Sequence, residues 1–380
     1  MTTRIDIKGD LLTWAIERAG LVVDEFLVSY PKAKTWLDGE KKPTLKQLED
    51  FANKVHVPFG YLLLDKPPEE KPIIPFFRTN GGEATLIPLA VRDTVSTLKA
   101  RQDWLADYLQ ENGNDELPFV SRFTTAVSVN EFVADIRNVL CLAEGWARAY
   151  PNWTAALGGL TDAIEEAGVV VTFNGVVGNS TSRPLPVASC RGFVLVDRFV
   201  PFLFVNNRDA KSAQMFTLVH ELAHIWLGES AGFDLAKIMP ADDPVEKLCD
   251  AVAAEFLVPA TSLRQEWADL PDPEQLARVF KVSPIVVGRR ALDLGFWSRQ
   301  SFFTFYETYT AKVRLLKEEK TAGGGNFYAT ARKRLSPRFM GYVNRAVLEN
   351  KLPYQKAYQI TGLKGATYRT FMRENYGTDA

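Results

Sequence analysis

Apolar residues recur at helical spacing through most of this chain and gather into short continuous runs in a few places, which predicts a mostly helical protein with a small sheet. Near the start, Leu11 to Gly20 reads as a helix stopped by glycine. Val22 to Val28 and Pro31 to Leu37 read as two short helices, and Pro43 to Val55 as a fourth opened by Pro43-Thr44. Ala90 to Gln110, Asn130 to Trp146 and Trp153 to Ala167 read as longer helices, the last leading into a strand over Val169 to Asn174. Gly192 to Asp197 and Pro201 to Asn206 form a predicted hairpin around Arg198-Phe199-Val200. Its strands are either ordinary core strands or a place where a peptide adds as a further strand. Ser212 to Leu227 is apolar around most of its circumference, which predicts a buried helix, and Gly228 is a natural stop. A further helix should open at the Asp242-Asp243 cap, carry Pro244 in its first turn and close at Pro259. Around Leu276-Ala277 a helix, a turn at Val282-Ser283 and a second helix have helix-turn-helix spacing. Lys66 to Pro72 is a proline-rich linker; Gly323-Gly324-Gly325-Asn326 lacks the lysine and spacing of a phosphate loop and reads as a flexible joint.

Histidine changes the picture. The chain has three, and two of them flank a glutamate in Val219-His220-Glu221-Leu222-Ala223-His224-Ile225-Trp226-Leu227. Residues i and i+4 share a helix face, so His220 and His224 can turn imidazole nitrogens toward one zinc ion while Glu221 reaches a water bound there. Two imidazoles and a carboxylate inside an apolar helix are costly unless something satisfies them, and Zn2+ does so. In such sites the metal acidifies the water and the glutamate serves as general base, then returns the proton to the leaving amine. A catalytic zinc needs a third protein ligand. Helical spacing leaves Glu246, Asp250 and Glu255 as candidates, of which Glu246 and Glu255 lie about half a turn apart and cannot both face the metal; Cys249 lacks a metal-spaced second cysteine.

With the motif in view, the segment from about Phe193 to Pro259 resembles the ImmA/IrrE family of metallo-endopeptidases, in which the His-Glu-x-x-His helix is followed by an acidic helix that Glu246, Asp250, Ala253 and Pro259 match. The resemblance implies Glu246 as third ligand and Asp250 as the partner that orients a histidine. It implies a protein substrate, such as a repressor or toxin-like partner, and regulated proteolysis rather than digestion. The stretch from Lys32 to Leu48 resembles the recognition-helix end of a Cro-type helix-turn-helix, although the chain between Phe26 and Trp36 is about one turn short for it.

Charge adds a second expectation. The chain carries a net −1, yet residues 311–380 hold a net +9. A basic segment suggests an anionic partner, nucleic acid or an acidic protein surface; duplex DNA would be contacted through Arg332, Lys333, Arg334 and Arg338 with Lys32, Lys34, Lys41 and Lys42 adding a weaker contact. No stretch approaches the length of an apolar membrane span, and three scattered cysteines argue against a disulfide framework; both point to the cytoplasm. The expectation is an α+β, mostly helical chain divided at 1–66 (helix-turn-helix-like), 67–168 (linker and helical scaffold), 169–262 (zincin-like peptidase core with a small β-sheet), 263–310 (helix-turn-helix-like) and 311–380 (basic helical C-terminus). The rival reading is a DNA-binding regulator or antitoxin with a structural or dormant zinc site. Intact Glu221 favours the enzyme, since a purely structural site has no use for it.

Overall fold

The computed structural model describes residues 4–69, 87–233, 243–318 and 327–377, in two units: 4–69 with 87–93, and the remaining described residues. The protein is mostly helical with a small mixed sheet, the α+β class that its periodicities predict.

The first unit holds α1 (Gly9–Arg18), α2 (Val23–Ser29), α3 (Pro31–Leu37) and α4 (Leu45–Lys54), followed by a 3-10 turn at Phe59–Leu63. Its centre is aromatic. Phe51 meets Phe26 and Trp36 edge-on at ring separations of 5.9 and 6.1 Å, the arrangement that ring quadrupoles favour. A capping box opens α4: the Thr44 hydroxyl accepts the Gln47 N–H, and the Gln47 side chain accepts the Thr44 N–H. Tyr30 alone joins α2 to α3, because Pro31 forces the residue before it out of helical geometry and then starts a new helix at once. A helix-turn-helix pair has a turn of three or four residues at this point. Lys32, Lys34, Lys41 and Lys42 are exposed, and Lys42 Nζ lies 2.8 Å from Asp6 Oδ2.

The second unit takes in α5 (Leu89–Glu111) from Thr94 onward, then α6 (Val129–Val139), α7 (Trp153–Glu166), β1 (Val170–Asn174), β2 (Val176–Val177), β3 (Ser180–Pro184), β4 (Gly192–Leu195), β5 (Phe202–Asn206), α8 (Lys211–Leu227) and β6 (Ala231–Phe233). Next come α9 (Pro244–Leu257), α10 (Ala260–Asp269), α11 (Pro273–Phe280), α12 (Pro284–Asp293) and α13 (Arg299–Glu318). The C-terminal group is α14 (Phe327–Leu335), α15 (Pro337–Leu348), α16 (Tyr354–Thr361) and α17 (Gly365–Tyr376). The helix expected over Asn130 to Trp146 stops at Val139: Cys141 sits in left-handed backbone at φ 53°, which no α-helix continues through, and a 3-10 turn takes up Trp146–Ala149. The triglycine, residues 70–72 of the linker and Asp242 lie outside the described residues.

The sheet runs β1-β5-β4-β6, with β1 parallel to β5 and the other pairs antiparallel. The predicted hairpin is β4 and β5, and both strands lie inside the sheet. Neither has a free edge, so the idea that one of them receives an added peptide strand is corrected: the outer strands are β1 and β6. Every residue of β1, β4 and β5 is buried, which accounts for their unbroken apolar runs.

The C-terminal helices are fastened to this core by arginines and by one serine. The Arg101 guanidinium is fully buried on α5, where lost solvation brings its pKa down to about 10; its Nε donates to the Ile360 carbonyl at 2.8 Å. Ser336 Oγ donates to Glu165 Oε1 at 2.5 Å, Arg338 donates to the Glu165 carbonyl at 2.7 Å, and Arg334 to Asn179 Oδ1 at 3.2 Å. Arg334 and Arg338, expected as DNA contacts, thus hold the fold together, while Arg332 and Lys333 are exposed. Lys281, Val282 and Ser283 join α11 to α12, around the turn expected at Val282-Ser283. The arginines of α12 are bonded within the protein: Arg289 Nε lies 3.0 Å from Asp293, and Arg290 is paired with Glu255.

Candidate metal centre

The centre is built on α8, a 17-residue helix whose two ends are satisfied in different ways. At its start the buried Gln214 amide donates to the carbonyls of Asn207 and Asp209 at 3.2 and 2.6 Å, tying the first turn to the loop before it. At its end Gly228 turns into left-handed backbone at φ 76°. The amides of Ser121 and Phe123 donate to the carbonyls of Ile225 and Trp226, both at 3.0 Å, so the exposed ends of the hydrogen-bond ladder are met by a neighbouring segment. The Trp226 indole donates to Asp135 at 2.7 Å, and its ring stacks on Phe119.

Glycine sets how closely α8 lies on the sheet. A Cβ at Gly192 would fall 2.5 Å from Thr217 Cγ2, 2.9 Å from the Phe204 carbonyl and 3.3 Å from Glu221 Cγ. Only a bare backbone at the head of β4 lets the helix approach there. The sequence reading missed Gly192, though an isolated glycine at the head of an apolar strand is the signal that marks it.

Opposite, Asp243 caps α9 by accepting the Val245 N–H at 2.7 Å, and Pro244 occupies the first helical position. This start places Glu246 in the first turn, facing α8. Its carboxylate oxygens lie 3.2 Å from His220 Nε2 and 3.1 Å from His224 Nε2, and the two Nε2 atoms are 3.3 Å apart. Among the described residues, these three form the one group of histidine, cysteine and acidic side chains whose ligand atoms converge. Asp250 Oδ1 lies 3.0 Å from His220 Nδ1, which fixes the ring orientation and leaves Nε2 for the shared point. Glu221, one residue along α8 from His220, is fully buried, and its charge acts on the His220 imidazole.

Of the other candidate ligands, Glu255 is engaged elsewhere: it pairs with Arg290, and its Oε1 accepts the Ala260 N–H at 3.2 Å where α10 begins. The Cys249 thiol is fully buried, and lost solvation raises its pKa well above the ordinary value, so it is held neutral.

The electrostatics of the cluster are those of groups awaiting a cation. Burial acts to lower the His220 pKa, but hydrogen bonds with Asp250 and Glu246 outweigh it and raise that pKa to about 10. Burial keeps His224 on the low side. Burial acts to raise the Glu246 pKa, and the two imidazoles overcome it and bring the value down to about 2. The residues fit zinc: donors held about 2.0–2.1 Å from a tetrahedral ion lie about 3.3 Å from one another, close to the observed 3.1–3.3 Å.

The comparison with known families bears on the class of this centre. Residues 165–292 match the family model of the IrrE N-terminal-like domain, peptidase M78, a span of about a third of the chain that runs from the end of α7 to α12 and contains His220, Glu221, His224 and Glu246. The ImmA/IrrE resemblance read from the motif therefore holds for this segment, which is wider than the stretch that first suggested it. Residues 335–374, from the end of α14 into α17, match a domain of unknown function. No curated protein matches the chain. Among the described residues, no helix is long and apolar enough to cross a membrane.

Proposed function

We propose that the protein is a zinc-dependent endopeptidase that cleaves a regulatory protein partner, of the repressor or toxin-like kind. The observation that carries this reading is the convergence of His220, His224 and Glu246 next to a fully buried Glu221 on the same helix. His220, His224 and Glu246 hold the ion. Zinc, when bound, supplies Lewis acidity and lowers the pKa of a coordinated water toward neutrality. Glu221 would serve as general base, its carboxylate taking a proton from the attacking water and returning it to the departing amine. Asp250 keeps the His220 ring from turning. A metal held only for structure has no need of an ionisable group at position 221.

The test is Glu221→Gln in the full-length protein, with metal content and proteolysis of a co-expressed partner protein measured together. The variant should retain stoichiometric zinc while cleavage falls by about 10²–10⁴-fold. Equal cleavage by the variant and the parent would refute the assignment.

A further inference from the structure

A second cavity lies away from the metal centre, between the IrrE-like segment and the helices of the C-terminal domain. Its volume is about 550 Å3, within the range of about 300–1,000 Å3 in which small-molecule sites fall. One wall is apolar, made by Leu157 on α7 and by Val171 and Phe173 on β1. Gly158 leaves that wall open: a Cβ built there meets nothing within 4 Å. The other wall is cationic. Lys211, at the start of α8, and Arg332 and Lys333, on α14, all line the cavity.

None of these three cations is locked into an ion pair. Among the described residues, no ion pair joins any of them to a carboxylate, although Asp162, Glu165 and Glu374 also line the space. Lys211 Nζ donates to Gln214 Oε1 at 3.2 Å, a neutral acceptor. Glu165 is already engaged with Ser336 and with the Val171 amide, and burial raises its pKa. Lys211 is partly buried with the charge of Lys333 near it, and both effects depress its pKa. Like charges gathered beside an apolar pocket are unfavourable until an anion enters between them.

We propose that this cavity binds a small phosphorylated molecule with an apolar or aromatic body, its phosphate held by Lys211, Arg332 and Lys333 and its body lying on Leu157, Val171 and Phe173 over Gly158. Arginine and lysine together suit a doubly charged phosphate, the first by its planar fork and the second as a point charge. Lys211 stands on the helix that carries His220 about two and a half turns further on, and Arg332 and Lys333 stand just ahead of the segment that matches the domain of unknown function. A bound ligand therefore bridges α7, β1 and α8 to α14. The inference is independent of whether the metal centre cleaves peptides.

The experiment is isothermal titration of the full-length protein with adenosine monophosphate, inorganic phosphate and adenosine as probes, alongside a short DNA duplex. Adenosine monophosphate should bind more tightly than phosphate or adenosine. The double variant Lys211→Met with Lys333→Met should weaken it by about tenfold or more, since charge-assisted contacts are lost. Gly158→Trp fills the cavity from a position with free space and raises helix propensity, so it should abolish binding while the melting temperature stays at or above that of the parent. The proposal is overturned if none of the small probes binds at millimolar concentration, or if neither variant changes their affinity. It is overturned equally if the duplex alone binds and Gly158→Trp leaves that binding intact, which would make the cations a surface for nucleic acid.

Discussion

The two units differ in what they bury. Between residues 4 and 69 every fully buried side chain is apolar, and the centre is a cluster of aromatic rings around Phe51. In the second unit the core around α8 encloses His220, Glu221, His224 and Glu246, with Gln214 and Asn206 close by in sequence. An ionisable group removed from water is costly unless it is paired or ligates a metal. A helical bundle maintained for stability alone avoids such groups, as the first unit does; a concentration of them in one helix and its neighbour marks where stability has been given up for chemistry. The contrast sets the cluster on α8 and α9 apart from the first unit without reference to any motif.

Substitutions can break this contrast. The largest effect is expected at Glu246. Glu246→Ala should lose the metal and proteolysis with it, whereas Glu255→Ala should keep the metal while losing the Arg290 clamp and the bond to the Ala260 N–H; metal content by elemental analysis decides, and the reverse result would make Glu255 the ligand. Phe51→Ala should destabilise the first unit by about 3–5 kcal/mol, because a fully buried ring leaves a cavity, while metal content stays unchanged. Chemical denaturation followed by tryptophan fluorescence, paired with zinc analysis, reads both. Asp250→Asn should lower zinc affinity by about 10–100-fold, the usual consequence of weakening a histidine's outer partner, and competition with a chromogenic chelator measures it. Gly192→Ala should cost about 1–3 kcal/mol of stability by overpacking, and if its melting temperature matches that of the parent, the close approach of α8 to β4 is wrong. Thr44→Ala should cost about 1 kcal/mol through the lost helix cap, with no effect on metal or proteolysis.

How legible each part was in the sequence depends on how local its cause is. The α8 and α9 helices, their caps and the Gly228 stop came from residues within a few positions of one another, and the structure has them within a residue or two of their expected bounds. Helical spacing left three carboxylates open as third ligand. What distinguishes them is the direction each faces across two helices, and Glu255 is drawn off by Arg290, 35 positions later in the chain. The sheet order was not legible, because β1 pairs with β5 through a crossover that no local pattern encodes. For the basic C-terminus, a charge count along the chain says nothing of what each arginine touches: Arg334 and Arg338 reach acceptors at Asn179 and Glu165. The early end of α6 rests on left-handed backbone at a cysteine, where composition gives no warning.

The bond from Arg101 to the Ile360 carbonyl spans 259 positions, and it sets a timetable for synthesis. The first unit has all of its residues once the ribosome has passed Asp93. In the second, the acceptors of the buried guanidinium, the carbonyls of Arg334 and Ile360, emerge only late. At the usual elongation rate of about 5–20 residues per second, that interval lasts on the order of ten seconds to a minute. Through that time the arginine stays in water, and the second unit is completed long after the first has all of its residues.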